Sequence, residues 1–322
     1  MHRPSVLCPI DFSEGSRGAL RYAAALAEHF YATLSVLTVD DPFLVQAATA
    51  SFGAVAMRQL TEEALQTFVK SAFPAALPPL AELKPLIRVG QAAPEILQAA
   101  DAEHADVIVM STHGASGVRK LLFGSTTERV LRDAIVPVIV TPGSNHGPES
   151  VESWIRGIRT VLVPVDFSEF SPHQVRVAQG LAEGVDASLV VVHVIEPLAS
   201  PDHFRRMASA VDAVRAANAR TRLDALLHEA PSRLRHTTDI AHGDAAGEIA
   251  RLAREHEAGA IVMALHTSPQ TGRRIGTITY RLLCQTPAVV IALPPASAAR
   301  TLPTAAGRYA ASTAGSVREL SS

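Results

Sequence analysis

The chain has 322 residues, 48% of them hydrophobic and 19% charged, and a formal net charge of −2 at neutral pH. That composition belongs to a globular protein and excludes a disordered or fibrous one. The near-zero charge and the lack of a long basic run argue against nonspecific nucleic-acid binding, which needs a basic surface to replace condensed counterions.

The N-terminus enters a strand pattern at Ser5–Ile10. This leaves no room for a signal peptide, and no apolar stretch approaches the roughly 18 residues of a membrane span. A cytoplasmic protein with no membrane partner is the expectation. Further β-branched runs follow at Leu34–Val39, Leu83–Val89, Val107–Met110 and Val138–Val140. Helix-length stretches lie between them, such as Ser16–Phe30 and Pro94–His104, the second opening with Pro and Glu that suit a first turn. The same beat returns at Thr160–Val165, Ser188–Val194, Arg233–Ile240, Ala260–Met263 and Ala288–Ala292. Near-continuous apolar strands separated by helices indicate a parallel sheet covered on both faces.

The beat returns because the chain repeats itself. Leu7-Cys-Pro-Ile-Asp11-Phe-Ser-Glu14 reappears as Leu162-Val-Pro-Val-Asp166-Phe-Ser-Glu169, 155 residues later. A period so much longer than the roughly 20–50 residues of a solenoid unit is a whole domain. Gly90-Gln-Ala-Ala-Pro-Glu95-Ile likewise matches Gly243-Asp-Ala-Ala-Gly-Glu248-Ile. The expected fold is α/β, two tandem doubly wound domains, each an open five-stranded parallel sheet with helices on both faces. The domains are placed at residues 1–142 and 158–295, with a linker at 143–157 and a disordered tail at 296–322. Cys8 and Cys284 lie in apolar contexts without ligand spacing and read as reduced thiols.

Chemistry concentrates after the fourth strand, in Met110-Ser-Thr-His-Gly114-Ala-Ser-Gly117-Val-Arg-Lys-Leu-Leu-Phe-Gly124-Ser125-Thr126. In an open α/β sheet, ligands bind beyond the carboxyl ends of the strands, where this loop must lie. Glycines let backbone N–H groups approach an anion, and Ser125 and Thr126 open a helix pattern, Thr127–Asp133, whose positive end favours negative charge. The plainer reading makes Gly114 and Gly117 turn residues and Ser125 a helix cap. The second copy, Met263-Ala-Leu-His-Thr267-Ser-Pro-Gln-Thr-Gly272-Arg-Arg-Ile-Gly276, has Thr267 for the central glycine and a shorter interval. Its N–H cradle is expected to be broken. His113 and His266 lack a nucleophile with an orienting acid, and no metal-ligand spacing, P-loop or SGGxDS pyrophosphatase loop is present.

Pro9-x-Asp11-x-Ser13-x-x-Ser16, the Gly90-x-x-x-x-Glu95-Ile segment and Ser111-x2-Gly114-x9-Gly124-Ser125 together resemble the universal stress protein family. The resemblance covers both halves, about residues 3–142 and 157–294, and departs from the nucleotide-binding pattern at Ser111, which stands where a first glycine is usual. It implies a Rossmann-like, adenine nucleotide alpha hydrolase-like fold and ATP, with or without Mg, as ligand of the first domain. Pro9, Asp11 and Val39 would then face the adenosine and Met110, Ser111 and Gly114 the ribose and phosphates. Gly117 belongs to the same loop, and Gly124, Ser125 and Thr126 would hold the phosphate chain. It also implies pairing of the two domains as an intramolecular pseudo-dimer, contact through the fifth-strand edges Val138–Val140 and Ala288–Ile291, and a further homodimer as an option. The role implied is a nucleotide-dependent regulator of stress response rather than an enzyme. A nucleotide-independent scaffold and a slow ATPase stand as alternatives.

Overall fold

The computed structural model describes residues 3–73, 83–112, 124–143, 146–197, 205–229, 234–265 and 276–294. The loop positions Gly114 and Gly117 and the expected tail lie outside them. The chain divides into two compact units, meeting in sequence between Arg156 and Gly157.

In the first unit the elements run β1 (Ser5–Ile10), α1 (Glu14–His29), β2 (Thr33–Asp40), α2 (Pro42–Phe52), α3 (Ala54–Ala72), β3 (Leu83–Val89), α4 (Ala92–Ala102), β4 (Val107–Ser111), α5 (Ser125–Asp133), β5 (Val138–Thr141) and α6 (Val151–Gly157). The five strands form a parallel sheet in the order β3-β2-β1-β4-β5. Every residue of β1 is buried, as expected of a central strand covered on both faces. Helix α1 starts where the Ser13 side chain accepts from the Ser16 N–H, and it buries an alanine-rich face including Ala19, Leu20, Ala23 and Ala24.

The second unit repeats this with β6 (Thr160–Pro164), α7 (Ser171–Val185), β7 (Ser188–Ile195), α8 (Arg205–Glu229), β8 (His236–His242), α9 (Ala245–Glu255), β9 (Ala260–Ala264), α10 (Thr277–Gln285) and β10 (Val289–Leu293). Its parallel order is β8-β7-β6-β9-β10. Both units are thus doubly wound, five-stranded α/β sheets, and each reverses its strand order beside its first strand. Strand ends differ from the sequence expectation by one to three residues. The largest shift is in β8, expected at Arg233–Ile240 and found at His236–His242, where its pairing with β7 runs from Leu189↔His236 to Ile195↔His242.

Within the expected linker, 143–157, residues 146–157 carry structure that is tied to the first unit. Trp154 of α6 is only 5% exposed and packs edge-on against His29, with ring centroids 5.2 Å apart, and near Phe30. Arg21 donates to the His146 carbonyl at 3.1 Å and to the Ala72 carbonyl at 2.7 Å. Gly147 has φ +76°, and a Cβ there would lie 2.5 Å from the Gly18 carbonyl oxygen, so only glycine fits this crossing.

Candidate functional site

Strand β1 pairs with β2 along its whole length, from Ser5↔Thr33 to Ile10↔Thr38, but with β4 only at Val6↔Val107 and Leu7↔Ile108. Pro9 has no N–H with which to extend a ladder. The two central strands therefore part toward their carboxyl ends, at the topological switch point where open α/β sheets hold ligands. The opening is a crevice of about 290 Å³. Eight of the ten expected site residues line it, namely Pro9, Asp11, Val39, Met110, Ser111, Gly124, Ser125 and Thr126. Gly114 and Gly117 lie outside the described residues.

Asp11 follows β1 directly, and its position is locked by the turn into α1. Its Oδ1 accepts from the Ser13 N–H at 3.2 Å and from the Ser13 and Ser16 hydroxyls, both at 2.5 Å. The Asp11 N–H donates back to Ser16 Oγ at 3.1 Å. The intervening Phe12 has φ +63°, a left-handed conformation that costs a bulky residue about 1–2 kcal/mol. The carboxylate network holds it there, assisted by the edge-on packing of Phe12 on Phe68, 5.5 Å between centroids.

Ser111 is the last residue of β4 and is buried, and it is not among the positive-φ residues. Serine at that position is therefore unstrained, a point that depends on a dihedral angle the sequence does not carry. Its carbonyl accepts from Thr127 Oγ1 at 3.0 Å, which anchors the start of α5 to the end of β4. The Gly124 N–H donates to the Thr112 carbonyl at 3.0 Å, a second tie between these two elements. Helix α5 begins at Gly124 without a side-chain cap, as do α3, α4, α7 and α10, whereas Ser13, Asp41 and Asp244 cap α1, α2 and α9. Gly124 brings no side-chain acceptor to the first-turn N–H groups, so that end of the helix suits an anion.

The second unit has a corresponding crevice of about 570 Å³, whose lining includes Pro164, Asp166, Val194, Met263, Gly276 and Thr277. The Asp166 turn repeats that of Asp11: its Oδ1 accepts from the Ser168 N–H at 2.9 Å and the Ser171 hydroxyl at 3.2 Å, and Phe167 has φ +62°. Phe167 is tilted onto His193, with centroids 4.4 Å apart, and Arg222 lies over its ring. Thr267, Gly272 and both loop histidines lie outside the described residues. Among the described residues no group of three His, Cys, Asp or Glu could hold a metal ion, and no helix is long and apolar enough to cross a membrane.

The description of the universal stress protein family matches the chain twice, at residues 3–142 and 157–294. The chain belongs to the universal stress protein family. It is 32% identical over 139 residues to universal stress protein MJ0531 of Methanocaldococcus jannaschii, covering 42% of this chain and 79% of that protein. It is 31% identical over 136 residues to a Thermus aquaticus protein described as the universal stress protein in the QAH/OAS sulfhydrylase 3' region, covering 42% of this chain and 96% of that one. The solved structure of a universal stress protein from Archaeoglobus fulgidus is similar in fold, with a TM-score of 0.62 at 22% identity, over 91% of this chain and 98% of that one.

This universal stress protein also uses side chains that strand-end reasoning passes over. Ser16 comes from α1, Ala92 and Ile96 from α4, and Thr127 from α5; Ile10 and Leu37 complete the first crevice. A signal for two of them was present, since Ala92 and Ile96 lie in the segment repeated as Ala245 and Ile249, which line the second crevice. The glycine of that segment has a packing role. A Cβ on Gly90 would come within 2.7 Å of Glu95 Oε1, and the space lets Glu95 turn back to pair with Arg88 at 3.3 Å.

Proposed function

We propose that this universal stress protein binds ATP, with or without Mg, in the crevice of its first unit and acts in the cytoplasm as a nucleotide-dependent regulator of stress response. In this reading domain 1 spans residues 1–142 and domain 2 spans 158–295. The supporting observation is the crevice itself, where eight residues named by the family resemblance converge beside a helix start without a side-chain cap. Val39 offers apolar surface to a base, Asp11 a fixed acceptor for the adenosine, Met110 and Ser111 a wall along the ribose, and the N–H groups and hydroxyls of Ser125 and Thr126 donors to phosphate. Occupancy would bias whichever arrangement of the chain binds nucleotide more tightly, which is all a switch requires.

The test uses the full chain purified without added nucleotide. It is denatured, any released nucleotide is identified by mass spectrometry, and the emptied protein is titrated with Mg-ATP by calorimetry. One ATP per chain, lost in a Gly114→Val variant that keeps its circular dichroism, is the expected result. No released nucleotide and no heat would refute the reading.

One observation favours the second reading, a protein-interaction scaffold. Residues 42–57 contain no charged side chain, and Phe43 and Leu44 of α2 are 80% and 68% exposed. An uncharged surface of this kind marks contact with another molecule. Nucleotide-free protein that still captures a partner, with capture lost in Phe43→Asp, would support the scaffold.

A further inference from the structure

The second crevice differs from the first in kind as well as in size. At about 570 Å³ against about 290 Å³ it falls well within the range of cavities that enclose small organic ligands. Matched positions lose hydroxyls and gain apolar surface. Ser111 at the end of β4 corresponds to Ala264, and Thr126 in the first turn of α5 corresponds to Ile278, which is 41% exposed. Val194, Ile249 and Met263 extend the same apolar lining.

Among the described residues, the cations nearby are already engaged. Arg215 donates to Asp212 Oδ1 and to the Glu196 carbonyl, both at 2.9 Å. Arg281 grips Asp244 through both terminal nitrogens, at 2.5 and 2.8 Å, and Asp244 also caps α9 by accepting from the Gly247 N–H at 2.9 Å. The first unit has Gln91 and Arg129 at these positions, joined by one 3.4 Å contact, and no cap bond on α4. A carboxylate thus sits at a helix start where the first unit has a neutral amide. With Asp166 and Glu196 also on the lining, a polyphosphate would meet carboxylates, and among the described residues its donors would be those of the α10 first turn, which starts at Gly276 without a side-chain cap as α5 does at Gly124.

We propose that the second crevice binds a neutral, mostly apolar organic molecule and not a nucleotide polyphosphate. The walls are held in place before binding. Gln174, standing where the first unit has Ala19, donates to the Pro164 and Val262 carbonyls at 2.7 and 2.9 Å and ties the parting strands β6 and β9 together. His193 Nδ1 donates to the Val165 carbonyl at 2.8 Å, which leaves Nε2 for a ligand. With the Thr277 hydroxyl it supplies the few polar contacts that orient an apolar ligand.

The full chain is titrated with Nile red, a neutral apolar dye. Saturable, blue-shifted emission at one dye per chain is expected, weakened at least tenfold in Ile278→Asp and unchanged in Phe43→Asp on the distant-in-sequence helix α2. A Thr126→Asp variant, the same change in the first unit, leaves dye binding intact. Excess Mg-ATP also leaves the dye in place, whether or not the first unit binds ATP, so this inference and the ATP reading fail separately. Absence of saturable dye binding, full retention in Ile278→Asp, or displacement by Mg-ATP would overturn it.

Discussion

Placing a carboxylate at the start of α5 should move stability and nucleotide affinity in opposite directions. Ser125 is the first residue of this helix, exposed on the crevice, and Gly124 before it provides no side-chain cap. In Ser125→Glu the new charge meets the positive end of the helix dipole, a gain of about 0.3–1 kcal/mol. For a unit of this size that raises the melting temperature by about 1–3 °C. A bound phosphate chain would instead meet a like charge. Across about 6 Å at an effective dielectric near 40, each unit-charge pair is worth about 1.4 kcal/mol. Two such pairs weaken binding by about 100-fold. Differential scanning calorimetry gives the first quantity and isothermal titration with Mg-ATP the second. Unchanged ATP affinity in a stabilised variant would refute the placement of phosphate at α5, and a fall in both quantities would refute the helix-end argument.

Trp154→Ala removes a side chain that buries about 200 Å², worth about 5 kcal/mol by area and about 3–5 kcal/mol in measured series. Urea unfolding followed by circular dichroism should show the first unit destabilised by that amount, whereas a loss below about 1 kcal/mol would make residues 143–157 a linker in the ordinary sense. In the second unit, Arg281 and the Gly247 N–H hold the Asp244 carboxyl below its usual range. Its contribution is therefore full above the ordinary carboxylate pKa and fades as pH falls through the lowered folded value. Melting temperatures of wild type and Asp244→Asn should differ at pH 7 and converge toward pH 2; a constant gap would remove the charge from the explanation. Thiols provide the last check: Cys8 is fully buried and its pKa is pushed well up by desolvation, while Cys284 is partly exposed. A thiol reagent at pH 8 should titrate Cys284 in the native protein and Cys8 only in denaturant, and rapid labelling of both would contradict the packing of β1.

The fold was legible because its signals are local. Runs such as Ser5–Ile10 and Val107–Met110 have the composition of buried parallel strands, and the element alternation admits few topologies. The strand-end positions Pro9, Asp11, Val39 and Met110 were named through the family resemblance, and the structure brings them to one crevice at the switch point. The site was less legible on the helices. Ser16 and Thr127 are polar residues at helix starts, and only the turn geometry brings them to Asp11 and Ser111. The cost of serine at position 111 turns on a φ angle, which β4 supplies by extending through that residue.

The duplication, the α/β alternation and the Asp-Phe-Ser turn of each copy are written in the sequence, because each depends on residues close together in the chain. The contrast between the two crevices required the tertiary structure. A cavity is the space left over by side chains from several separate elements, so the volume beside Met263 cannot be read from any one segment. Charge follows the same rule: the sequence shows Arg281 and Arg215 only as cations, and the tertiary structure pairs them with Asp244 and Asp212.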